Sequence, residues 1–185
     1  MTDFTRRLFI LILIGLPLTG IAQEQNDSRL NYVMSQVKKI NRNLASAEAV
    51  KLLPSGSISD GSETIIFKRG DTIDKIVADH FSDEGKVSTE LYYDETGIIY
   101  AYSEKITYNR SIDEQSAGDE RESFDIQRSA TDKDQHFFKD KKMIQWLHNQ
   151  SIVPTDETPR FSIRESYLLE LSQDLITQLQ SQVTK

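Results

Sequence analysis

Hydrophobic and polar residues alternate from Val87 to Tyr93, break at Asp94-Glu95-Thr96-Gly97, and resume from Ile98 to Tyr108. A period of two on either side of a short polar break predicts two antiparallel strands joined by a tight turn. With the four break residues as the loop, Tyr93 faces Ile98, Leu91 faces Tyr100 and Thr89 faces Tyr102. One face then collects Leu91, Tyr93, Ile98, Tyr100, Tyr102, Ile106 and Tyr108, and the other carries Lys86, Ser88, Glu90, Ala101, Ser103, Lys105 and Thr107. Tyr92 falls with Glu90 on the polar face, which predicts an exposed aromatic.

Similar signals run from Glu63 to Arg69, Thr72 to Phe81, Gln135 to Lys139 and Met143 to His148. Within the second of these, Ile73, Val77 and Phe81 also fit a helical spacing. The turns between successive strands are short, so neighbours in sequence are neighbours in space and the expected sheet is an antiparallel meander. From Asp27 the period lengthens. Leu30, Val33, Val37, Ile40, Leu44 and Ala47 recur at steps of three and four, a single helical stripe that Asn26, Asp27 or Ser28 can cap. Near the end, Pro154 and Pro159 frame a linker, and Ser162 with Glu165 reads as a capping box. The helix it opens carries Ile163, Tyr167, Leu168, Leu171, Leu175, Ile176 and Leu179 on its apolar face. The expected fold is α+β, an antiparallel β-meander of about six strands flanked by an N-terminal and a C-terminal helix. Both helices are expected on one sheet face, with one helix on each face as the alternative.

Charge and composition narrow the class. Arg6 and Arg7 precede the apolar run Leu8 to Leu18 and the small residues of Gly20-Ile21-Ala22, the pattern of a secretory signal peptide covering residues 1–22. Thr5-Arg6-Arg7-Leu8-Phe9 is also similar to a twin-arginine signal, although the apolar core favours ordinary secretion. The expected mature chain, 23–185, is a single domain with a long acidic loop at 110–133, in a periplasmic or extracellular location and without an integral membrane segment. The formal charge of −7 becomes −8 when Asp3, Arg6 and Arg7 leave with the leader, and so acidic a surface argues against nucleic acid as a partner. Cysteine is absent, which excludes disulfides, thiolate metal sites and a cysteine nucleophile.

Few residues group into chemistry. Asp79-His80-Phe81-Ser82-Asp83-Glu84 gathers one imidazole and three carboxylates, but a strand running into a turn scatters such groups over two faces. Asp132, Asp134 and His136 share one strand parity and could present three ligands to a metal, or simply form a solvated strand face. Neither segment has the spacing of a His-Glu-x-x-His or calcium-loop site, and no glycine-rich phosphate loop or Gly-x-Ser-x-Gly elbow is present. No metal and no cofactor is expected. Trp146 and the tyrosines offer stacking area with a polar edge. Tyr92, Glu90 and Trp146 are therefore the candidate ligand-binding residues.

The hairpins repeat weakly: Ile66-Phe67-Lys68-Arg69-Gly70-Asp71-Thr72-Ile73, Tyr92-Tyr93-Asp94-Glu95-Thr96-Gly97-Ile98-Ile99 and Phe137-Phe138-Lys139-Asp140-Lys141-Lys142-Met143-Ile144. The middle copy resembles the variant MORN repeat of the Tyr-Tyr-Asp-x-x-Gly type. With its leader, meander and closing helix, the chain resembles uncharacterised exported proteins of Bacteroidetes. The expected function is an exported binding or interaction module of the cell envelope, its partner an envelope protein, peptide or glycan, and its state a monomer or weak homo-oligomer. A carboxylate- or metal-dependent hydrolase and a self-associating structural envelope protein are the alternatives.

Overall fold

In the computed structural model the described residues are 19–53, 61–111, 125–155 and 158–183. The expected leader, residues 1–18 of it, and most of the acidic loop, residues 112–124, lie outside them. The chain forms helix α1 (Thr19–Asn43), strands β1 (Glu48–Leu52), β2 (Glu63–Arg69), β3 (Thr72–Ser82), β4 (Gly85–Asp94), β5 (Gly97–Thr107), β6 (Ala130–Lys139), β7 (Lys142–His148) and β8 (Ser151–Ile152), and helix α2 (Thr158–Val183). All eight strands join one antiparallel sheet in the order of the sequence, β1 to β8. The α+β meander is thus present with two strands more than the six expected. Both additions are edge strands of five and two residues, too short to show a period. No described helix is long and apolar enough to cross a membrane.

Three hairpins share one construction. In β4 and β5, Tyr93 pairs with Ile98 and Tyr92 with Tyr100, leaving Ile99 as an extra residue. In β2 and β3, Lys68 pairs with Ile73 and Phe67 with Lys75, leaving Asp74. In β6 and β7, Phe138 pairs with Met143 and Phe137 with Gln145, leaving Ile144. Each is a β-bulge at the third residue after a two-residue turn, and each reverses the face of every residue that follows it. Tyr100 and Tyr102 therefore lie with Tyr92 and Glu90, not with Leu91 and Tyr93, which corrects the faces derived from uninterrupted alternation. Turn chemistry differs among the copies. Gly97 takes φ +115° after Asp94 accepts from the Thr96 amide, whereas Asp140 and Lys141 both take positive φ, +50° and +60°, without glycine.

The bulges also decide where the helices go. Adjacent strand residues point to opposite faces, so the doublets Tyr92-Tyr93, Ile98-Ile99, Phe137-Phe138 and Met143-Ile144 make both faces apolar near the turns. Val33, Val37 and Ile40 of α1 pack on Tyr92, Ile99, Tyr100 and Phe137. Phe161, Leu168, Leu175 and Leu179 of α2 pack on the other face, against Leu91, Tyr93, Ile98 and Phe138 among others. The expectation of two helices on one face is corrected: each face has its own helix. Both run across the strands, α1 from Phe138 past Asp94 to Arg69, and α2 from Met143 past Tyr93 to Ile73.

Helix α2 begins four residues before the expected Ser162. Pro159 sits in its first turn, where a missing N–H leaves no helical hydrogen bond unmade. The capping box is replaced by other bonds: Ser162 Oγ donates to the Pro159 carbonyl, and Glu165 accepts from the Met143 amide at 2.6 Å. At the far end the Gln182 amide accepts from Leu53 N and donates to the Lys51 carbonyl, filling part of the open edge of β1 as a neighbouring strand would.

Candidate functional site

A cleft of about 450 Å³ opens between α1 and the turns of the first two hairpins. Its helical wall is Tyr32, Gln36, Lys39 and Asn43, spaced by four, three and four, so they stand on the flank of α1 beside its buried stripe. Its sheet wall comes from Arg69, Thr72 and Asp74 on one side and Asp94, Glu95 and Thr96 on the other. The size lies within the range of small-ligand pockets. Tyr32, 41% exposed, is the aromatic ring presented there. Its hydroxyl donates to Asp94 at 3.4 Å, and the Arg29 guanidinium lies 4.8 Å from its ring centre.

Charges are buried where the cleft meets the first hairpin. Asp74 occupies the bulge position held by Ile99 and Ile144 in the other hairpins, and Lys75 the position of Tyr100 and Gln145. Yet Asp74 and Lys75 are only 7% and 6% exposed. A buried charge is tolerated when it is paired and hydrogen-bonded. Asp74 accepts from Arg69 Nε and Nη2, both at 2.6 Å. Lys75 reaches Glu90 at 2.9 Å, lies 4.7 Å from the centre of the Tyr92 ring, and donates to Asn41 at 3.4 Å.

The three expected ligand residues are placed differently. Tyr92 is 2% exposed beneath α1, because that helix covers the face on which it was expected to stand free. Its hydroxyl contacts Glu90 and Asn41, and burial, then the bond to Glu90, push its ionisation far above the usual tyrosine range. Glu90 is half-buried in the same network. Trp146 is 4% exposed on the α2 face, with the guanidinium of Arg160 4.8 Å from its ring centre and the His136 ring at 5.5 Å. Tyr92 and Glu90 are together; Trp146 is on the opposite face of the sheet.

Asp132, Asp134 and His136 do fall on one face, but Asp134 and His136 turn to α2. Arg164 Nη2 donates to Asp134 at 2.8 Å and its Nε to His136 Nε2 at 3.1 Å, so a guanidinium stands between these two groups. Asp134 also accepts from Trp146 Nε1 and His148 Nδ1. Burial alone would raise its pKa, but these bonds and the Arg164 charge together hold it below the ordinary value. Asp132 is engaged by Asn149 Nδ2. Among the described residues no three His, Asp or Glu side chains converge as a metal site. On β3, Asp79 and His80 point to opposite faces, Asp79 pairing with Lys86 and His80 Nδ1 lying 2.9 Å from Ser62 Oγ.

Sequence reasoning did not single out Tyr32, Arg69 or Asp74. The signal was present in the repeat, as an Asp-Lys pair where the sister hairpins carry Ile-Tyr and Ile-Gln. It stays hidden until the first copy is slid by one residue, so that Phe67, not Ile66, matches Tyr92 and Phe137. Compared with known proteins, the chain matches no family model, and no curated protein or solved structure is similar to it.

Proposed function

We propose that this chain is an exported binding module of the cell envelope, built from MORN-like hairpins and taking its ligand in the cleft beside α1. One observation carries the reading: the first hairpin buries Asp74 and Lys75 at positions that the other two fill with Ile99, Tyr100, Ile144 and Gln145. Buried ion pairs contribute little net stability over well-packed apolar side chains. Local departures from a fold's own rule concentrate where function is. Asp74 lies on the sheet wall of the cleft, across from the helical wall that presents an exposed aromatic, Tyr32, and a row of polar residues. The leader-like residues 1–22 and the acidic balance support export and a partner other than nucleic acid.

Saturation-transfer NMR of the protein with envelope-derived glycans and peptides tests it. Bound compounds should be lost from a Gln36→Trp variant, whose indole fills the cleft from the helix side. Compounds that bind wild type and variant alike would place the binding surface elsewhere.

A further inference from the structure

We infer that the cleft holds a zwitterion, a free amino acid or a short peptide, with its carboxylate on the open edge of Arg69 and its ammonium group toward Asp94 and Glu95. This rests on the cleft being the binding surface. A guanidinium has five N–H donors in one plane. Asp74 engages Nε and one hydrogen of Nη2, both bonds 2.6 Å long, and so fixes the plane of the Arg69 head while leaving the Nη1 and Nη2 end directed away from it. The Arg69 side chain is 52% exposed and that of Asp74 10%. A buried carboxylate holding a half-exposed guanidinium by its side is the arrangement that presents the remaining two-donor edge to a second carboxylate. It explains why an aspartate replaces the isoleucine of the sister hairpins at this bulge.

The rest of the lining fits a ligand of no net charge. Lys39 from α1 adds a second cation to the lining, and Asp94, bonded to Tyr32, and its neighbour Glu95 supply anions. A dianion such as phosphate would meet Asp74, Asp94 and Glu95 with one cation already neutralised. A single carboxylate balanced by an ammonium meets opposite charge at each end. Tyr32 and Asn43 stand about 16 Å apart along the helix axis at 1.5 Å per residue. Two or three extended residues, at about 3.5 Å each, fit within that length.

The test is a series of amide-resolved NMR titrations of the purified protein with trialanine, alanine, N-acetyl-trialanine-amide and maltotriose. Trialanine is expected to shift the amides of residues 69–74 and 94–96, and capping both its ends to weaken binding tenfold or more. Alanine binding as tightly as trialanine identifies a free amino acid as the ligand class, and weaker binding a peptide. Arg69→Gln should lose trialanine, with Glu95→Gln weakening it at the other end. Asp74→Asn separates positioning from charge, since removing a negative charge alone would tighten binding to a carboxylate, whereas loss of the fixed guanidinium weakens it. Spectra of each variant with wild-type dispersion confirm the fold. Capped peptide or maltotriose shifting the same amides as strongly as trialanine would overturn the zwitterion and leave the cleft as the binding surface. If no probe moves those amides, the cleft assignment falls with it.

Discussion

Arg164 Nε donates to His136 Nε2, a bond that lasts only while that imidazole nitrogen is unprotonated. Since an arginine can only donate, the His136 proton is on Nδ1, which faces the Ala101 carbonyl at 3.4 Å. His136 is 0% exposed, and burial, then the Arg164 charge, lower its pKa from 6.5 to about 4. In the unfolded chain the same group protonates near 6.5, so the fold gains nothing from it in acid. Stability is full above about pH 6.5 and falls as the pH drops toward about 4, by about 3 kcal/mol at most. Urea unfolding followed by Trp146 fluorescence should show this slope, and His136→Phe should flatten it. An unchanged acid limb in the variant would mean that other groups produce it.

The alkaline side has a matching expectation of opposite origin. Burial raises the ionisation of Tyr93 to about 12 and, as their largest cause too, pushes Tyr92 and Tyr100 higher still. A raised tyrosine pKa contributes stability that is present below about pH 10 and is lost as pH rises through the folded value. Tyrosinate absorbance should therefore show these three of the seven tyrosines ionising only with unfolding. A single titration of all seven near pH 10 would contradict their burial.

Two leucine-type positions on α2 separate the observed packing from the periodic reading of the sequence. Leu168 is fully buried, whereas Ile163 is 68% exposed. Leu168→Ala should cost about 3 kcal/mol, and Ile163→Ala less than about 0.5 kcal/mol. Equal losses in thermal or urea unfolding would show that Ile163 is packed.

Lys141 takes φ +60° without being glycine, directly after Asp140 at +50°. An Asp-Gly pair suits a turn with two positive φ values, so Lys141→Gly should stabilise the third hairpin by about 0.5–1 kcal/mol. A lower midpoint in urea would show that the Lys141 side chain contributes more than its backbone conformation costs.

The class of fold and the middle hairpin with its Gly97 turn were legible because period and turn chemistry agree there. In α1 period alone showed Val33, Val37 and Ile40, while the helix begins at Thr19, ahead of the expected cap at 26–28, and ends before Leu44 and Ala47. Three things were not legible. The bulges at Asp74, Ile99 and Ile144 insert one residue each without any change in residue type that announces them, and each flips the strand beyond it. The doublets of adjacent apolar residues did announce that both faces are covered, yet alternation reads a doublet as noise at a strand end. Edge strands β1 and β8 are shorter than the window a period needs. Tyr92 and Glu90 share a face as their parity required, but neither lines the cleft, and solvent exposure was assigned to Tyr92 from a face that α1 covers. Arg69 and Asp74 looked like ordinary turn charges, since a five-residue separation across a turn gives no hint of a buried bidentate pair.

Every strand pairs only with its neighbours in sequence, so the sheet can lengthen one strand at a time as the chain is released from its N-terminal end. The two helices are the exceptions to this local order, since α1 packs on β4 and β5 and α2 joins strands far apart in the sequence. Helix α2 follows all eight strands of the sheet in the sequence, and it touches β7, β5 and β1 together. Its seat exists only when the first strand and the last hairpin are both in place, which makes it the clasp that records completion. A chain halted before residue 158 would hold paired strands with one face still bare, and would be distinguishable by that face from a finished molecule.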